Sequence, residues 1–491
     1  MSVVPENKGL FLPQEFKDLA VESLGEEIAR GLFSVLEQGL AARAGIRLNP
    51  SKISSVEQTD FSRNISGRVP WCDNGFYLTE RPKFTLDPLF HAGGYYVQEA
   101  SSMYMELVKK AIDDGGRGDG QRFFDRPLRV LDLCAAPGGK TTHLASLLGE
   151  DSLLVSNEVI KSRAVVLADN VAKWGAPNVI VTNNDPKDFT DLDNVFNLVV
   201  VDAPCSGEGL FRKDNEAVNE WSLANVKLCS QRQKRILADV WPALAPGGFL
   251  VYSTCTYNHY ENDDTITYIT QDLGAEVVPI HVPVHSGILR TAAGGIQFVP
   301  GLVEGEGQFM AVIRKPLTES DHCALFRKCS GKHYGSDCKN LPKQNKITGY
   351  WVRIMLLGNL VHVPGDLVKG YPDGLMEDIL FFQKRLRVVL SGVAMGQVKG
   401  KDLIPHADLA LSIAMQRIVA EEIQLDGIEV VEVDRGEALT FLAKEPLIFP
   451  GQSNGYLLLT YKGLGLGFVK NMGNRTNNLL PMARRIRMDI K

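Results

Sequence analysis

No stretch of this sequence comes near the roughly 20 consecutive apolar residues that a bilayer-spanning helix requires, so no part of it asks for a membrane. The opening MSVVPENKGLFLPQEF lacks a basic segment followed by an apolar one; no secretory leader is expected, and the expected location is the cytoplasm. An excess of positive charge is missing too. Lys and Arg number 53 against 58 Asp and Glu, a net charge of −5, which argues against a general polyanion binder and leaves nucleic-acid affinity to local basic patches. Cysteine is sparse, eight residues in 491 and mostly scattered, which suits reduced thiols better than a disulfide framework. The remaining composition, 44% hydrophobic and 23% charged, is ordinary for a soluble globular chain, with length for roughly two to four domains.

The most informative stretch is Arg129 to Thr142, RVLDLCAAPGGKTT. Val130 to Leu133 reads as a short buried strand, Pro137-Gly138-Gly139 as a tight turn, and Lys140 onward as a helix. Strand, glycine turn and helix in that order make a nucleotide-cofactor loop, because glycines let backbone N–H groups approach an anionic group at a helix N-terminus. Two cofactors compete for it. Gly139-Lys140-Thr141 imitates the end of a P-loop, and Phe196 to Asp202, FNLVVVD, imitates a magnesium-holding strand, but the first P-loop glycine would fall on Cys134. Glu158 ends the next apolar strand about twenty residues beyond the glycines, the spacing at which a carboxylate takes ribose hydroxyls. An adenosyl cofactor is therefore expected over a triphosphate.

Around this loop the chain reads as modules. Pro13 to Leu40 has helical spacing, Gly45 to Lys52 reads as a strand, and Val69 to Leu78 as an aromatic hairpin. Residues 1–105 thus form a small front module, either a stabilising cap or a substrate-positioning arm with Arg47 and Asn49 as candidates. His91 to Met105 is expected to be packed linker leading into a helix, and Gly115 to Gly120 an exposed loop. Alternating strands and helices across residues 106–316 predict a doubly wound sheet. Its strands fall near 129–134, 153–157, 178–182, 196–202, 247–253, 275–280 and 307–314, with a long helix from Glu216 to Trp241 and a turn at Pro246-Gly247-Gly248. This α/β pattern suits a class I, Rossmann-like seven-stranded sheet, with Asp185 placed beyond the third strand for an adenine ring.

Residues 317–346 break the periodicity as a basic linker. Cys323, Cys329, His333 and Cys338 within it have a widened zinc-knuckle spacing; a metal-free linker is the preferred reading, and no metal is assigned. Residues 347–491 read as a β-rich domain with a basic end, Arg484, Arg485, Arg487 and Lys491, suited to phosphate contacts.

Two cysteines follow successive strands: Asp202-Ala203-Pro204-Cys205-Ser206-Gly207 and Ser253-Thr254-Cys255-Thr256-Tyr257-Asn258. Carboxyl ends of parallel strands are the reactive rim of this fold. A thiol pair beside a methyl donor makes chemical sense when the acceptor is a pyrimidine carbon. Cytosine C5 is too electron-poor to take a methyl group unaided, whereas a thiolate adding at C6 makes C5 nucleophilic. A free thiol has a pKa of about 8.5, so the site must lower it or provide a base, and polarising N3 makes C6 more electrophilic. Asp202 and Lys140 are the candidates, and spacing does not rank the two cysteines.

The combination DLCAAPGGKT, DAPCSGEG and STCTYN, with the Glu158 and Asp185 strand ends, resembles the NOL/NOP/SUN family of RNA 5-methylcytosine methyltransferases. The flanks LPQEF, VPWCDNGFYL, YYVQEASSM and GLGLGFVKNMGNRTNNLLP resemble one bacterial branch that acts on 16S rRNA and carries a C-terminal PUA-like, RNA-binding domain. The resemblance implies that S-adenosyl-L-methionine binds against Cys134, Ala135, Ala136, Pro137, Gly138, Gly139 and Lys140, with Glu158 at the ribose, Asp185 at the adenine and Asp202 between cofactor and base. It further implies Cys255 as nucleophile and Cys205 in product release. The expected partner is RNA, 16S rRNA or the small ribosomal subunit, with no membrane and no required protein partner. A tRNA or DNA cytosine methyltransferase and a non-catalytic ribosome assembly factor are the competing readings.

Overall fold

The computed structural model describes residues 11–115, 121–317, 359–363, 366–372, 374–400, 402–425 and 427–490. The Cys323 to Cys338 cluster lies outside them. The central sheet has ten strands rather than the seven expected: Leu289–Arg290, Ile296–Phe298 and Val388–Ser391 extend its edges, and the other seven are β1 (Arg129–Asp132), β2 (Leu153–Asn157), β3 (Val179–Thr182), β4 (Phe196–Asp202), β5 (Leu244–Thr254), β6 (Glu276–Val278) and β7 (Gln308–Arg314). These seven run in the order β3-β2-β1-β4-β5-β7, and β6 pairs with β7. β1 to β5 are parallel to one another, and β7 is antiparallel to β5. Helices and loops cover both faces, so β1 to β5 are buried nearly end to end, which is why their sequences are continuous apolar runs rather than alternating ones. β1 lies between β2 and β4, so the chain reverses its direction of winding there, and the carboxyl ends of β1 and β4 are where sheets of this kind bind their ligands.

Three helices matter below: α1 (Met105–Asp114), α2 (Gly139–Leu147) and α3 (Lys161–Trp174). Elsewhere two long predicted helices are each broken in two. The one expected over Pro13 to Leu40 divides into Gln14–Leu24 and Glu26–Glu37 at Gly25, whose φ of +82° a helix cannot hold. The one expected from Glu216 divides into Asn215–Glu220 and Leu223–Val240, because Ser222 accepts a hydrogen bond from the Asn225 N–H and starts a new helix. Pro246-Gly247-Gly248 does not precede β5 as a turn but bulges within it, with a register shift opposite Phe196 to Leu198.

The front module is a four-stranded antiparallel sheet, ordered Ile65–Arg68, Gly75–Leu78, Gly45–Leu48, Tyr95–Val97. Its apolar face shares one core with the C-terminal region: Ile46, Phe61, Phe84 and Tyr95 pack with Phe441, Leu457, Leu459 and Ile486. The C-terminal region holds two further four-stranded sheets and also reaches into the catalytic domain. Val388–Ser391 adds an antiparallel strand beside β3, and Phe382 stacks on Phe196 with ring centroids 5.6 Å apart. Phe382 is fully buried, so its truncation to alanine costs about 3–5 kcal/mol. No helix among the described residues is long and apolar enough to cross a membrane.

Candidate active site

Cys205 follows β4 and Cys255 follows β5, and since those strands are hydrogen-bonded neighbours the two loops are forced together. The sulfurs are 3.1 Å apart. The hydrogen bond to Cys255 and burial together push the Cys205 thiol well above its ordinary range, so Cys205 keeps its proton.

Two buried carboxylates hold these loops. Glu261 accepts from the Ser206 N–H at 3.0 Å, the Ser206 hydroxyl, Gln233 Nε2 at 2.7 Å and Asn258 Nδ2 at 3.0 Å. Glu208 accepts from the Tyr257 N–H at 2.6 Å, Asn258 Nδ2 at 2.9 Å and Trp221 Nε1 at 3.1 Å. Burial raises both, Glu208 to about 7. Asn258 donates to both acids and so ties the loop after β5 to the loop after β4. The Gly209 N–H donates to the Cys255 carbonyl at 2.6 Å, and a Cβ at Gly209 would stand 2.7 Å from that oxygen.

Beside the thiols, Lys140 Nζ donates to Asp202 Oδ2 at 2.7 Å. Burial works against the Lys140 charge, but Asp202 and Tyr104 outweigh it and hold the ammonium above its ordinary range. The other oxygen, Asp202 Oδ1, accepts from Ser253 Oγ at 2.7 Å and Gln308 Nε2 at 3.2 Å, and the Tyr104 hydroxyl donates to Ser253 Oγ at 2.7 Å. The carboxylate is thereby locked between α2, β5 and β7.

On the far side of Lys140 lies the glycine loop. Gly138 has φ +115°, a left-handed conformation that turns the chain into α2. Cys134 is half-buried, with its thiol pushed up by burial and by Asp132, while Ala135 and Ala136 are buried. Pro137 is exposed. Glu158, at the end of β2, is 3% exposed; Oε1 accepts from the Ile160 N–H at 2.9 Å and Oε2 pairs with Arg163 at 3.3 Å. Asp185 is exposed after β3, and its carboxylate caps its own turn through the Lys187 N–H at 3.1 Å. These residues fit an adenosyl cofactor on one further observation. Asp132 Oδ1, at the loop's entry, is buried without a hydrogen-bond partner among the described residues, an acceptor available to a cationic ligand.

The profile of the 16S rRNA methyltransferase RsmB/F family matches residues 125–314, that of the RsmF N-terminal domain residues 12–100, and that of the RsmF PUA domain residues 428–486. A ribosomal RNA small subunit methyltransferase F from Shewanella sp. (strain MR-4) is 32% identical over 458 residues, 89% of this chain and 90% of that protein. The chain belongs to the RsmF family. A second relative of that name, from Shewanella baltica (strain OS155), is 30% identical over 490 residues, 96% of each chain. Among solved structures, a methyltransferase homologue from Pyrococcus horikoshii is 29% identical with a TM-score of 0.51, covering 62% of this chain and 96% of its own. NSun6 from the same organism is 19% identical with a TM-score of 0.50, covering 62% and 98%, and shows the shared fold. With the family and the Rossmann-like sheet in hand, the chain is an S-adenosylmethionine-dependent methyltransferase with a C-terminal PUA domain.

Within this RsmF-family chain, Cys205 stands against Cys255, and Lys140 against Asp202. Arg47 and Asn49 do not face a substrate. They are 1% and 0% exposed, and Asn49 Nδ2 donates to the carbonyls of Gly93 and Trp174, each at 3.0 Å. Arg484 is not available for phosphate either, since it bridges Asp169 at 2.7 Å and Asp408 at 2.8 Å; Arg485 and Arg487 are exposed. Sequence reasoning missed Glu208, Glu261, Ser253, Gln308 and Tyr104. Glu208 and Ser253 stand inside the motifs DAPCSGEG and STCTYN, and Glu261 lies shortly after the second; Gln308 and Tyr104 carry no such signal.

Proposed function

We propose that this protein transfers a methyl group to C5 of a cytosine in 16S rRNA through a covalent cysteine adduct at C6. The observation that carries the reading is the pair of sulfurs 3.1 Å apart beside the Lys140–Asp202 ion pair at the rim of a cofactor crevice. S-adenosylmethionine, bound against residues 134–140 with Glu158 at its ribose and Asp185 near its adenine, supplies an electrophilic methyl group. Cys255, as thiolate, adds to C6, and the Cys205 S–H donating to Cys255 stabilises that thiolate before attack. Asp202, fixed by three donors, can accept from the exocyclic amine of the ring, and Lys140 can donate to N3. Electron density pushed from sulfur onto C5 makes that carbon the nucleophile, and transfer of the methyl group would leave S-adenosylhomocysteine; passage of the C5 proton to solvent water then re-forms the C5–C6 double bond and expels Cys255 as thiolate. Cys205 assists this release.

The choice of 16S rRNA rests on the names of the relatives and on the PUA domain. The test is methyl transfer to small ribosomal subunits, to naked 16S rRNA and to tRNA, read by bisulfite sequencing. Cys255→Ala is expected to abolish transfer, and Cys205→Ala to accumulate a protein–RNA adduct that survives denaturing electrophoresis. Full activity of Cys255→Ala refutes the covalent route, and labelling at a base other than cytosine refutes the substrate.

A further inference from the structure

Away from the methyl-transfer thiols, three ligand-type side chains from three different segments meet in the interior. Cys72 lies in the turn of the front-module hairpin, Glu106 in the first turn of α1, and His143 in α2, one helical turn past Lys140. Cys72 and His143 are 2% and 1% exposed. Cys72 Sγ is 3.3 Å from Glu106 Oε1, Glu106 Oε1 is 3.4 Å from His143 Nε2, and Cys72 Sγ is 3.9 Å from His143 Nε2. We propose that Cys72, Glu106 and His143 are a three-ligand zinc site that pins the front module and α1 to the helix carrying the cofactor loop.

Two of the separations match edges of a metal triangle, and the third, Cys72 Sγ to His143 Nε2 at 3.9 Å, closes by a few tenths of an ångström on binding. A tetrahedral zinc with Zn–S near 2.3 Å and Zn–N and Zn–O near 2.0–2.1 Å has ligand-to-ligand edges of about 3.3–3.6 Å, and two of the three observed edges fall there. The N···O distance of 3.4 Å is long for an N–H···O hydrogen bond, whose usual range is about 2.7–3.2 Å. One sulfur, one imidazole and one carboxylate are the donor set of a borderline-soft ion rather than of calcium or magnesium. The second oxygen of Glu106 accepts from the Asp73 N–H at 2.7 Å, which orients the ligating oxygen as an outer partner should. His143 Nε2 faces the Glu106 carboxylate while Nδ1 has no partner among the described residues, so the ring proton sits on Nε2 in the metal-free protein and moves to Nδ1 when Nε2 takes the ion.

The fourth position has a supply of water. Glu106 also lines a surface cavity of about 700 Å³ whose wall includes Asp73, Lys109, Asp113 and His281, and this is the side from which an ion enters. On binding, the Cys72 thiol releases its proton to solvent, leaving thiolate and carboxylate as two negative charges against the ion. The nearby Arg47 guanidinium opposes the ion, and those two anions offset it.

The test is a cobalt(II) titration of the full chain, followed by the thiolate-to-cobalt charge-transfer band and the d–d bands of a four-coordinate ion, with zinc as displacing competitor. One equivalent is expected to bind and to be lost in both Cys72→Ser and His143→Gln, so that either variant decides if the other fails to fold. The signal is expected to persist in Cys205→Ser and in the combined Cys323→Ser, Cys329→Ser, Cys338→Ser protein. Absence of a stoichiometric band, or an unchanged band in the Cys72 and His143 variants, overturns the site.

Discussion

Cys205 Sγ and Cys255 Sγ stand 3.1 Å apart on the loops that follow neighbouring strands, only about 1 Å more than a disulfide bond. Two thiols that the proposed covalent route needs reduced are thus positioned to be joined as a disulfide by an external oxidant. Mild oxidation with diamide is expected to abolish methyl transfer and to remove two hydrogens from the Cys205 and Cys255 peptides, the diamide taking up both. Dithiothreitol is expected to restore at least nine-tenths of the activity. Intact activity after full diamide treatment, or loss without a Cys205–Cys255 crosslink by mass spectrometry, goes against this geometry.

Gly209 is fixed by what surrounds it. A Cβ there would approach Cys255 O at 2.7 Å, Cys255 Cβ at 3.3 Å and Glu306 O at 3.4 Å, mostly backbone that cannot swing aside. Gly209→Ala is therefore expected to push the Cys255 loop away from Cys205, lowering kcat at least tenfold, with a stability loss of about 1–3 kcal/mol. Cofactor affinity, measured by calorimetry, is expected to change less than twofold because residues 134–140 are untouched. A wild-type kcat in the Ala variant is the contrary result.

Asp132 sets a pH dependence. Burial raises its carboxyl from the ordinary 3.8 to about 7, although a bond from Thr141 Oγ1 at 2.7 Å and the nearby Lys140 pull the other way. Between those two values the unfolded chain has released a proton that the folded protein keeps. The stabilising contribution is therefore whole below pH 3.8 and is lost as pH rises through 7. In Asp132→Asn, the fall in unfolding free energy between pH 5 and pH 8 is expected to shrink by about 2 kcal/mol, with Glu208 and Asp87, also raised by burial, supplying part of the rest. Denaturant unfolding at the two pH values measures it; equal falls in both proteins reject the assignment.

The seven central strands and the two cysteine loops were legible because each rests on a local signal: apolar runs for a sheet covered on both faces, and motifs at strand ends. What was not legible depends on distant partners. Nothing in the sequence gives Glu208 and Glu261 their role, which appears only when Asn258, Gln233, Ser206 and Trp221 are brought around them. Val388–Ser391 gives no sign in its own sequence that its partner is β3, some 200 residues earlier. The helix breaks at Gly25 and Ser222 were local, and there the apolar periodicity outweighed the capping residues in the reading.

Arg47 shows the same limit most clearly, since a surface-type residue has become a buried brace. Its Nε donates to Gln98 Oε1 at 2.9 Å, one terminal nitrogen donates to Thr142 Oγ1 at 2.6 Å and to Gly139 O at 3.2 Å, and the guanidinium lies over Trp174 at 4.7 Å. Burial lowers its pKa, to about 10, so it remains charged at neutral pH. The groups it holds are the first turn of α2, where the cofactor loop ends, and Gln98 of the front module. Arg47→Met removes those donors while keeping much of the apolar stem, and leaves buried acceptors unpaired at a cost of about 3 kcal/mol. KM for S-adenosylmethionine is expected to rise at least tenfold while kcat at saturating cofactor falls less than threefold, because the thiols and Asp202 are held by other contacts. Arg47→Lys is expected to recover little, since a single ammonium cannot reach Gln98 and Thr142 while stacking on Trp174. A loss confined to kcat, or full rescue by lysine, would mean that Arg47 does not brace the loop.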